Sequence, residues 1–304
     1  MAPGIYPAEQ LFYSHIPFAR QRVYGFILTA LFICVILKIG YSFSSRYMAT
    51  GAKTLQMIQF LKNIFGDRAP LEDSFSALGV DMHSHILPGI DDGSESLERS
   101  LELVRAMQAL GYRKLIMTPH IMSDFYRNTP EIIREKLELL RGAVEVAGIP
   151  MELGCGAEYY LDEGLLEKLE NNEELLTFGD RYLLFETSFL NEPLNLREAI
   201  FMMRSKGYKP VLAHPERYTY FYGKFDALAS LREQGVLFQP NLNSLTGYYS
   251  PGAKDYAERL IEEGLVDFLG SDTHGLKHTV NLHKVLCSKH LSKAFALPLR
   301  NNLL

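Results

Sequence analysis

Cysteine is scarce in this chain, and its scarcity excludes several kinds of protein. Cys34, Cys155 and Cys287 lie far apart and form no CxxC pair. There is therefore no disulfide framework, and an odd number of scattered thiols fits a reducing compartment. A thiolate phosphatase nucleophile would need an arginine shortly downstream, but the sixth residues after the three cysteines are Gly40, Leu161 and Lys293. Cys155 sits among apolar strand-type residues and reads as core. A glycine-rich phosphate turn after the first strand is also missing, which argues against an open doubly wound nucleotide-binding sheet.

Positive charge is missing from most of the chain as well. Residues 1–70 carry seven Lys/Arg against Glu9 and Asp67, a net +5, whereas residues 71–304 carry 24 basic and 34 acidic side chains, a net −10. The larger part lacks the basic surface that a phosphate backbone requires, so it has no nucleic-acid partner. A length of 304 residues suits one large α/β barrel or two ordinary domains.

Residues 1–70 read as an N-terminal extension unlike the rest. From Val23 to Leu37 runs an uncharged apolar segment bracketed by Arg22 and Lys38. It is short for a membrane span, which takes about 20 residues, but a snorkelling Lys38 would extend it to Phe43. It starts too far in for a signal peptide and lacks a small-residue cleavage pattern. Two readings stand side by side. In one, residues 23–43 anchor a cytoplasmic catalytic part to the membrane, the side being set by Lys38, Arg46, Lys53 and Lys62. In the other, translation starts at Met57, ahead of a short amphipathic stretch, and the upstream residues are a mis-assigned start.

From Gly79 onward a short β-type run, a polar loop, a helix and a glycine repeat in turn. Strands are predicted at Val80–His83, Lys114–Met117, Met151–Gly156, Tyr182–Phe185, Lys209–Ala213, Val236–Leu242 and Val266–Gly270. Helices are predicted at Ser94–Leu110, capped by Ser94 or Ser96, at Thr129–Ala147, with Pro130 in the first turn, and at Leu196–Lys206 and Ala253–Glu263. Seven parallel strands joined by right-handed crossovers make residues 79–304 a closed or nearly closed β/α barrel.

The chemistry-bearing residues cluster at the ends of these strands. His83 and His85 follow strand one, His120 strand two, Glu158 strand three, Glu186 strand four, His214 strand five, and Asp272 with His274 strand seven. The C-terminal strand ends are where β/α barrels build active sites. His15, His278, His283 and His290 fall outside the pattern. Any one strand-end His or Glu alone is more often a satisfied structural group. Eight together reverse that reading, because collecting so many carboxylates and imidazoles without cations is electrostatically costly.

Imidazole and carboxylate ligands without thiolates suit catalytic Mn, Fe or Zn. More ligands than one ion can use imply two or three divalent ions, an arrangement suited to hydrolysing phosphate esters. Arg217, three residues after His214, is placed to clamp a phosphate bidentately, the alternative being a surface ion pair with Glu216. Asn241, Asn243 and Ser244 end strand six, which carries no ligand. They line the substrate side or serve as turn residues.

These residues fall in motifs: Asp81-Met-His-Ser-His-Ile-Leu-Pro-Gly-Ile-Asp-Asp-Gly93, Thr118-Pro-His120, Gly156-Ala-Glu-Tyr-Tyr160, Leu184-Phe-Glu186, Ala213-His-Pro-Glu-Arg-Tyr218 and Gly270-Ser-Asp-Thr-His274. In this order they resemble the polymerase and histidinol phosphatase superfamily. Within it, the likeness is to bacterial metal-dependent protein-tyrosine phosphatases linked to capsule and exopolysaccharide synthesis. The resemblance implies a distorted (β/α)7 barrel with its active site at the C-terminal strand ends, and a trinuclear site. His83, His85, Glu158 and Asp272 would hold one ion, Glu158, Glu186 and His214 a second, and Asp92, His120 and His274 a third. Arg217 matches the phosphate-binding arginine, and Asp91, beside Asp92, is expected to be a turn residue. The implied substrate is a phosphotyrosine protein, namely the tail of a cognate tyrosine autokinase that drives polysaccharide export; homo-oligomer formation is left open.

Three other readings remain. A small-molecule phosphomonoesterase such as histidinol-phosphatase shares fold and metals. A metal-binding docking module without turnover, tethered by the N-terminal segment, predicts no phosphatase activity. An amidohydrolase also begins with HxH, but Asp92 and His274, which make room for a third ion, argue against it.

Overall fold

The computed structural model describes residues 71–304, and both the apolar segment 23–43 and the candidate start at Met57 lie outside the described residues. Among the described residues, no helix is long and apolar enough to cross a membrane.

The elements alternate. Strand β1 (Val80–Asp81) leads through a long loop to α1 (Leu97–Ala109), then β2 (Lys114–Met117), β3 (His120–Ile121) and α2 (Pro130–Val146). β4 (Glu152–Cys155), β5 (Glu158–Tyr160), α3 (Glu163–Glu170), β6 (Tyr182–Glu186) and α4 (Leu196–Ser205) follow. The chain ends with β7 (Lys209–Ala213), α5 (Phe225–Ala229), β8 (Leu237–Gln239), α6 (Pro251–Glu262), α7 (Leu276–Val285) and α8 (Lys289–Phe295). Local sequence sets the helix starts. Ser96 caps α1 by accepting from Arg99 N. Thr129 caps α2, with Pro130 in the first turn where its missing N–H is harmless. Ile133, Leu137, Leu140 and Val144 fall on one buried stripe of α2, each contributing about 2 kcal/mol of apolar burial.

All strand pairs are parallel, in two sheets ordered β1-β2-β4 and β3-β5-β6-β7-β8. The predicted second and third strands form as β2 and β4, and each is followed after a short gap by a further strand, β3 and β5, which belong to the second sheet. β2 and β3 are separated by Thr118-Pro119, and β4 and β5 by Gly156-Ala157; Pro119 has no N–H to give to a ladder. Past these gaps, His120 pairs in register with Glu158. Two site residues thus start the second sheet side by side.

The predicted strand over Val266–Gly270 is not a regular strand. Asp267 N and Phe268 N both donate to Phe238 O, which disrupts the ladder. What remains is one parallel bridge between Asn241 and Gly270 and another between Ser84 and Thr273. The first strand is likewise shorter than predicted, so His83 and His85 lie beyond its regular part.

Alternate residues along a strand face different cores, as a period of two demands. Leu183, Phe185 and Leu212 pack in the larger core with the helices. Tyr182, Leu184, Val211 and Ala213 join Val80, Met82, Ile116 and Phe268 in a second, smaller one. Glu186 continues the Tyr182, Leu184 row at the C-terminal end of β6.

Candidate metal centre

The i, i+2 spacing of His83 and His85 delivers both rings to one place. Their Nε2 atoms are 3.3 Å apart, and both residues are fully buried. Glu158 Oε2 lies 3.2 Å from His83 Nε2 and 3.3 Å from His85 Nε2, and Asp272 Oδ1 lies 3.5 Å from each. His83 Nε2 and His85 Nε2 thus face two carboxylate oxygens, one from Glu158 and one from Asp272, a set of nitrogen and oxygen donors of the kind that divalent metals take.

Further donors extend the cluster on both sides of Glu158. On one flank His214 Nε2 is 3.0 Å from Glu158 Oε1 and 3.7 Å from Glu186 Oε2. On the other, His120 Nδ1 lies 3.2 Å from Glu158 Oε2 and 3.1 Å from Glu186 Oε1. Asp92 Oδ1 is 3.5 Å from His120 Nε2 and 3.4 Å from His274 Nε2. Among the described residues, four groups have donor atoms close enough to share an ion: His85, Asp92, His120 and His274; His83, His85 and Glu158; His83, His214 and Asp272; and His120, Glu158 and Glu186. Every strand-end residue singled out in the sequence is in at least one group. These groups divide the expected sets differently: Asp272 falls with His83 and His214 rather than with Glu158, and Glu158 and Glu186 fall with His120 rather than with His214.

Two features fit a metal-binding role for these side chains. The buried His120 Nδ1 has no hydrogen-bond partner among the described residues, although two carboxylate oxygens are within 3.2 Å. In addition, His214 and Asp272 have left-handed backbones, with φ of 33° and 50°. Such conformations are uncommon outside glycine and collect at functional sites.

The electrostatics follow from the crowding. Burial alone would depress the His83 pKa, but the carboxylates of Glu158 and Asp272 outweigh it and raise it to about 9. His85 is raised against the same burial penalty by Asp91 and Glu158. Burial also opposes ionisation of Glu158 and Asp272, yet the facing imidazoles hold both well below the usual carboxylate range. A metal ion would replace those protons.

Among the neighbours of the cluster, Asp91 is expected from the sequence only as a turn residue, and Gln239 is not singled out at all. Asp91 closes a turn by accepting from Gly93 N at Oδ1, and its buried Oδ2 takes a 2.7 Å hydrogen bond from His85 Nδ1. Gln239 Oε1 faces His83 Nδ1 at 2.6 Å. Only a sequence search for acceptors opposite each histidine could have suggested them, and such pairs are 6 and 156 residues apart. His278, outside the strand-end pattern, stands beside His274 with ring centroids 5.5 Å apart.

Arg217 is not paired with Glu216. Its Nη1 donates to Asp272 Oδ2 at 3.0 Å, and its guanidinium is sandwiched between Phe189 and Tyr249, 4.4 and 4.3 Å from the ring centroids. Glu216 is buried and accepts from Asn241 N and Ser244 Oγ. Asn241 and Ser244 are therefore bound inward rather than being free turn residues.

A parallel β/α scaffold with a buried imidazole and carboxylate cluster at its strand ends is the layout of the metal-dependent hydrolases of the polymerase and histidinol phosphatase class. The chain belongs to the capsular polysaccharide synthesis CpsB/CapC family, whose sequence model matches residues 79–302. It is 34% identical over 217 residues to the tyrosine-protein phosphatase YwqE of Bacillus subtilis, covering 71% of this chain and 85% of the relative. To the tyrosine-protein phosphatase CpsB of Streptococcus pneumoniae it is 28% identical over 202 residues, 65% of this chain and 83% of the relative. A solved chain from the crystal structures of YwqE from B. subtilis and CpsB from S. pneumoniae, described as unique metal-dependent tyrosine phosphatases, aligns with a TM-score of 0.63. That alignment has 32% identity and covers 73% of this chain and 94% of the other.

Proposed function

We propose that the chain is a metal-dependent protein-tyrosine phosphatase. The observation that carries this reading is the buried pair His83 Nε2 and His85 Nε2, 3.3 Å apart, with Glu158 Oε2 and Asp272 Oδ1 each 3.2–3.5 Å from both nitrogens. These four residues hold one ion. Glu158, Glu186 and His214 hold a second, with Glu158 shared, and Asp92, His120 and His274 a third. Manganese is the first choice, with iron or zinc as alternatives. When bound, such ions lower the pKa of a water and neutralise charge on the phosphoryl oxygens.

The chain's own residues do the rest. Arg217 spends part of its guanidinium on Asp272 and keeps other N–H groups for a phosphoryl oxygen, which a planar fork can bind bidentately. The two rings that sandwich it restrict its orientation, lowering the entropic cost of that contact. Tyr126, which stacks on His120, and Phe189, which adjoins His214, add aromatic surface beside the cluster. Such surface suits the ring of a phosphotyrosine, whose phenolate, with a pKa near 10, leaves with less protonic help than an alkoxide.

The substrate is the phosphotyrosine tail of a tyrosine autokinase in a polysaccharide-export system, in keeping with the family. The catalytic part works in the cytoplasm as a homo-oligomer, and residues 23–43 make the membrane contact. The parallel bridges at Asn241–Gly270 and Ser84–Thr273, with the small second core, support closure of the two sheets into a distorted seven-stranded barrel.

The test loads purified protein with Mn²⁺ and compares hydrolysis of a phosphotyrosyl peptide with that of histidinol phosphate. Preference for the peptide, lost by at least about 100-fold in His83→Ala and Asp272→Ala, is the expected result. Preference for histidinol phosphate assigns the site to a small-molecule phosphomonoesterase, and full activity in either variant overturns the metal assignment.

A further inference from the structure

Strand β8, sixth in the predicted barrel order, supplies no donor to the cluster, yet it is bonded to two of the proposed ligands of the first ion. Gln239 is its last residue, and Asn241 follows two positions later, so both side chains face the same way. Gln239 Oε1 lies 2.6 Å from His83 Nδ1, Gln239 Nε2 donates to Asn241 Oδ1 at 3.0 Å, and Asn241 Nδ2 donates to Asp272 Oδ2 at 2.7 Å. Gln239 and Asn241 are 0% and 1% exposed, so water does not compete for these bonds.

The direction of the chain of bonds is forced from one end. An ionised carboxylate can only accept, so Asn241 must present its NH₂ to Asp272 and its carbonyl to Gln239. Gln239 must then present its NH₂ to Asn241, which leaves its carbonyl for His83. A carbonyl can only accept, so His83 must carry a proton on Nδ1. In the neutral ring that leaves the lone pair on Nε2, the nitrogen facing His85 Nε2, Glu158 Oε2 and Asp272 Oδ1.

Resting on the metal-dependent reading above, we infer that Gln239 and Asn241 form a positioning relay for the first ion. The relay fixes the tautomer of His83 and the rotation of Asp272 together. With Arg217 Nη1 and Tyr249 Oη, Asn241 occupies Asp272 Oδ2, so that Oδ1 is the oxygen facing His83 and His85. Gly270 supports the same assembly: a Cβ there would lie 2.6 Å from Gln239 Nε2 and 2.7 Å from His83 Cβ. The backbone at Gly270 is thus pressed against the contact that starts the relay.

Outer partners of metal ligands typically change metal affinity by 10–100-fold, and members of one relay do not act independently. The test is a double-mutant cycle of Gln239→Leu, Asn241→Leu and the double variant of the full chain. Mn²⁺ affinity is measured by calorimetric titration after chelation, and the melting temperature of the chelated protein is recorded alongside. Each single variant is expected to weaken the tightest Mn²⁺ site by 10–100-fold, and the double variant by little more than the worse single. Unchanged affinity in either single variant, or losses that multiply in the double, overturn the relay. If the apolar variants do not fold, Gln239→Glu, which accepts from His83 but cannot donate to Asn241, and Asn241→Asp are used with the same criteria. A parent protein that binds no Mn²⁺ would instead refute the metal reading itself, a result separate from failure of the relay.

Discussion

Asp91 and Asp92 are adjacent in sequence and face different tasks. Asp91 is buried against His85, holding Nδ1 while His85 Nε2 faces the cluster; Asp92 is half exposed and adjoins His120 and His274. Asp91→Ala leaves a buried imidazole without its partner, and metal affinity is expected to fall by roughly 10–100-fold with the site still fillable at high Mn²⁺. Asp92→Ala removes a donor atom, so one ion per chain should be lost at any accessible concentration. Metal counting by mass spectrometry at rising Mn²⁺ distinguishes them, and identical behaviour of the two variants contradicts this division. Phe189 offers a second prediction. Phe189→Ala frees one face of Arg217, and because the residue serves aromatic binding and arginine orientation, KM for a phosphotyrosyl peptide is expected to rise about 10-fold, as loss of about 1.4 kcal/mol would give. Metal content should stay unchanged.

The loop between β1 and α1 acts as an element in its own right, carrying His83, His85, Asp91 and Asp92 within ten residues. Its course depends on Gly93, whose N–H is bound by Asp91 Oδ1 and where a Cβ would sit 2.0 Å from His85 O. No side-chain rearrangement relieves a clash with backbone, so the loop must move. Gly93→Ala is expected to destabilise the fold by about 1–3 kcal/mol and to lower Mn²⁺ affinity. Its effect should exceed that of Gly142→Ala in α2, where a Cβ meets nothing within 4 Å and helix propensity improves. Urea unfolding of both variants measures the contrast, and equal stabilities would show that the loop is not so constrained.

At the scale of the molecule, stability is tied to the protonation of the cluster. His83 titrates at about 9 in the folded, metal-free protein against 6.5 ordinarily. A raised pKa means that its contribution is complete below about 6.5 and is lost as pH rises through about 9. His85 and His120 shift in the same direction. The melting temperature of chelated protein is therefore expected to fall between pH 6.5 and 9.5. The increment from added Mn²⁺ should grow over the same interval, because binding displaces those protons. A chelated protein whose melting temperature rises across this interval would contradict the assignment.

Much of this organisation is present in the linear sequence. Hydrophobic runs ending in His, Glu or Asp mark strands and their active ends, and Thr129-Pro130 or Ser96 mark helix starts, because periodicity and capping are local properties. The nine candidate ligands could be named for the same reason: each stands at a strand end or in a turn that its immediate neighbours dictate. Local pattern could not show that further short strands follow Thr118-Pro119 and Gly156-Ala157, or that Val266–Gly270 forms bridges instead of a ladder. Those outcomes depend on hydrogen bonds offered by other strands. Nor could it decide the partners of the ligands. Asp91 with His85, Gln239 with His83, and Arg217 with Asp272 rather than Glu216 are each settled by which acceptor a buried donor meets, and only the packed tertiary structure brings those atoms within hydrogen-bonding reach.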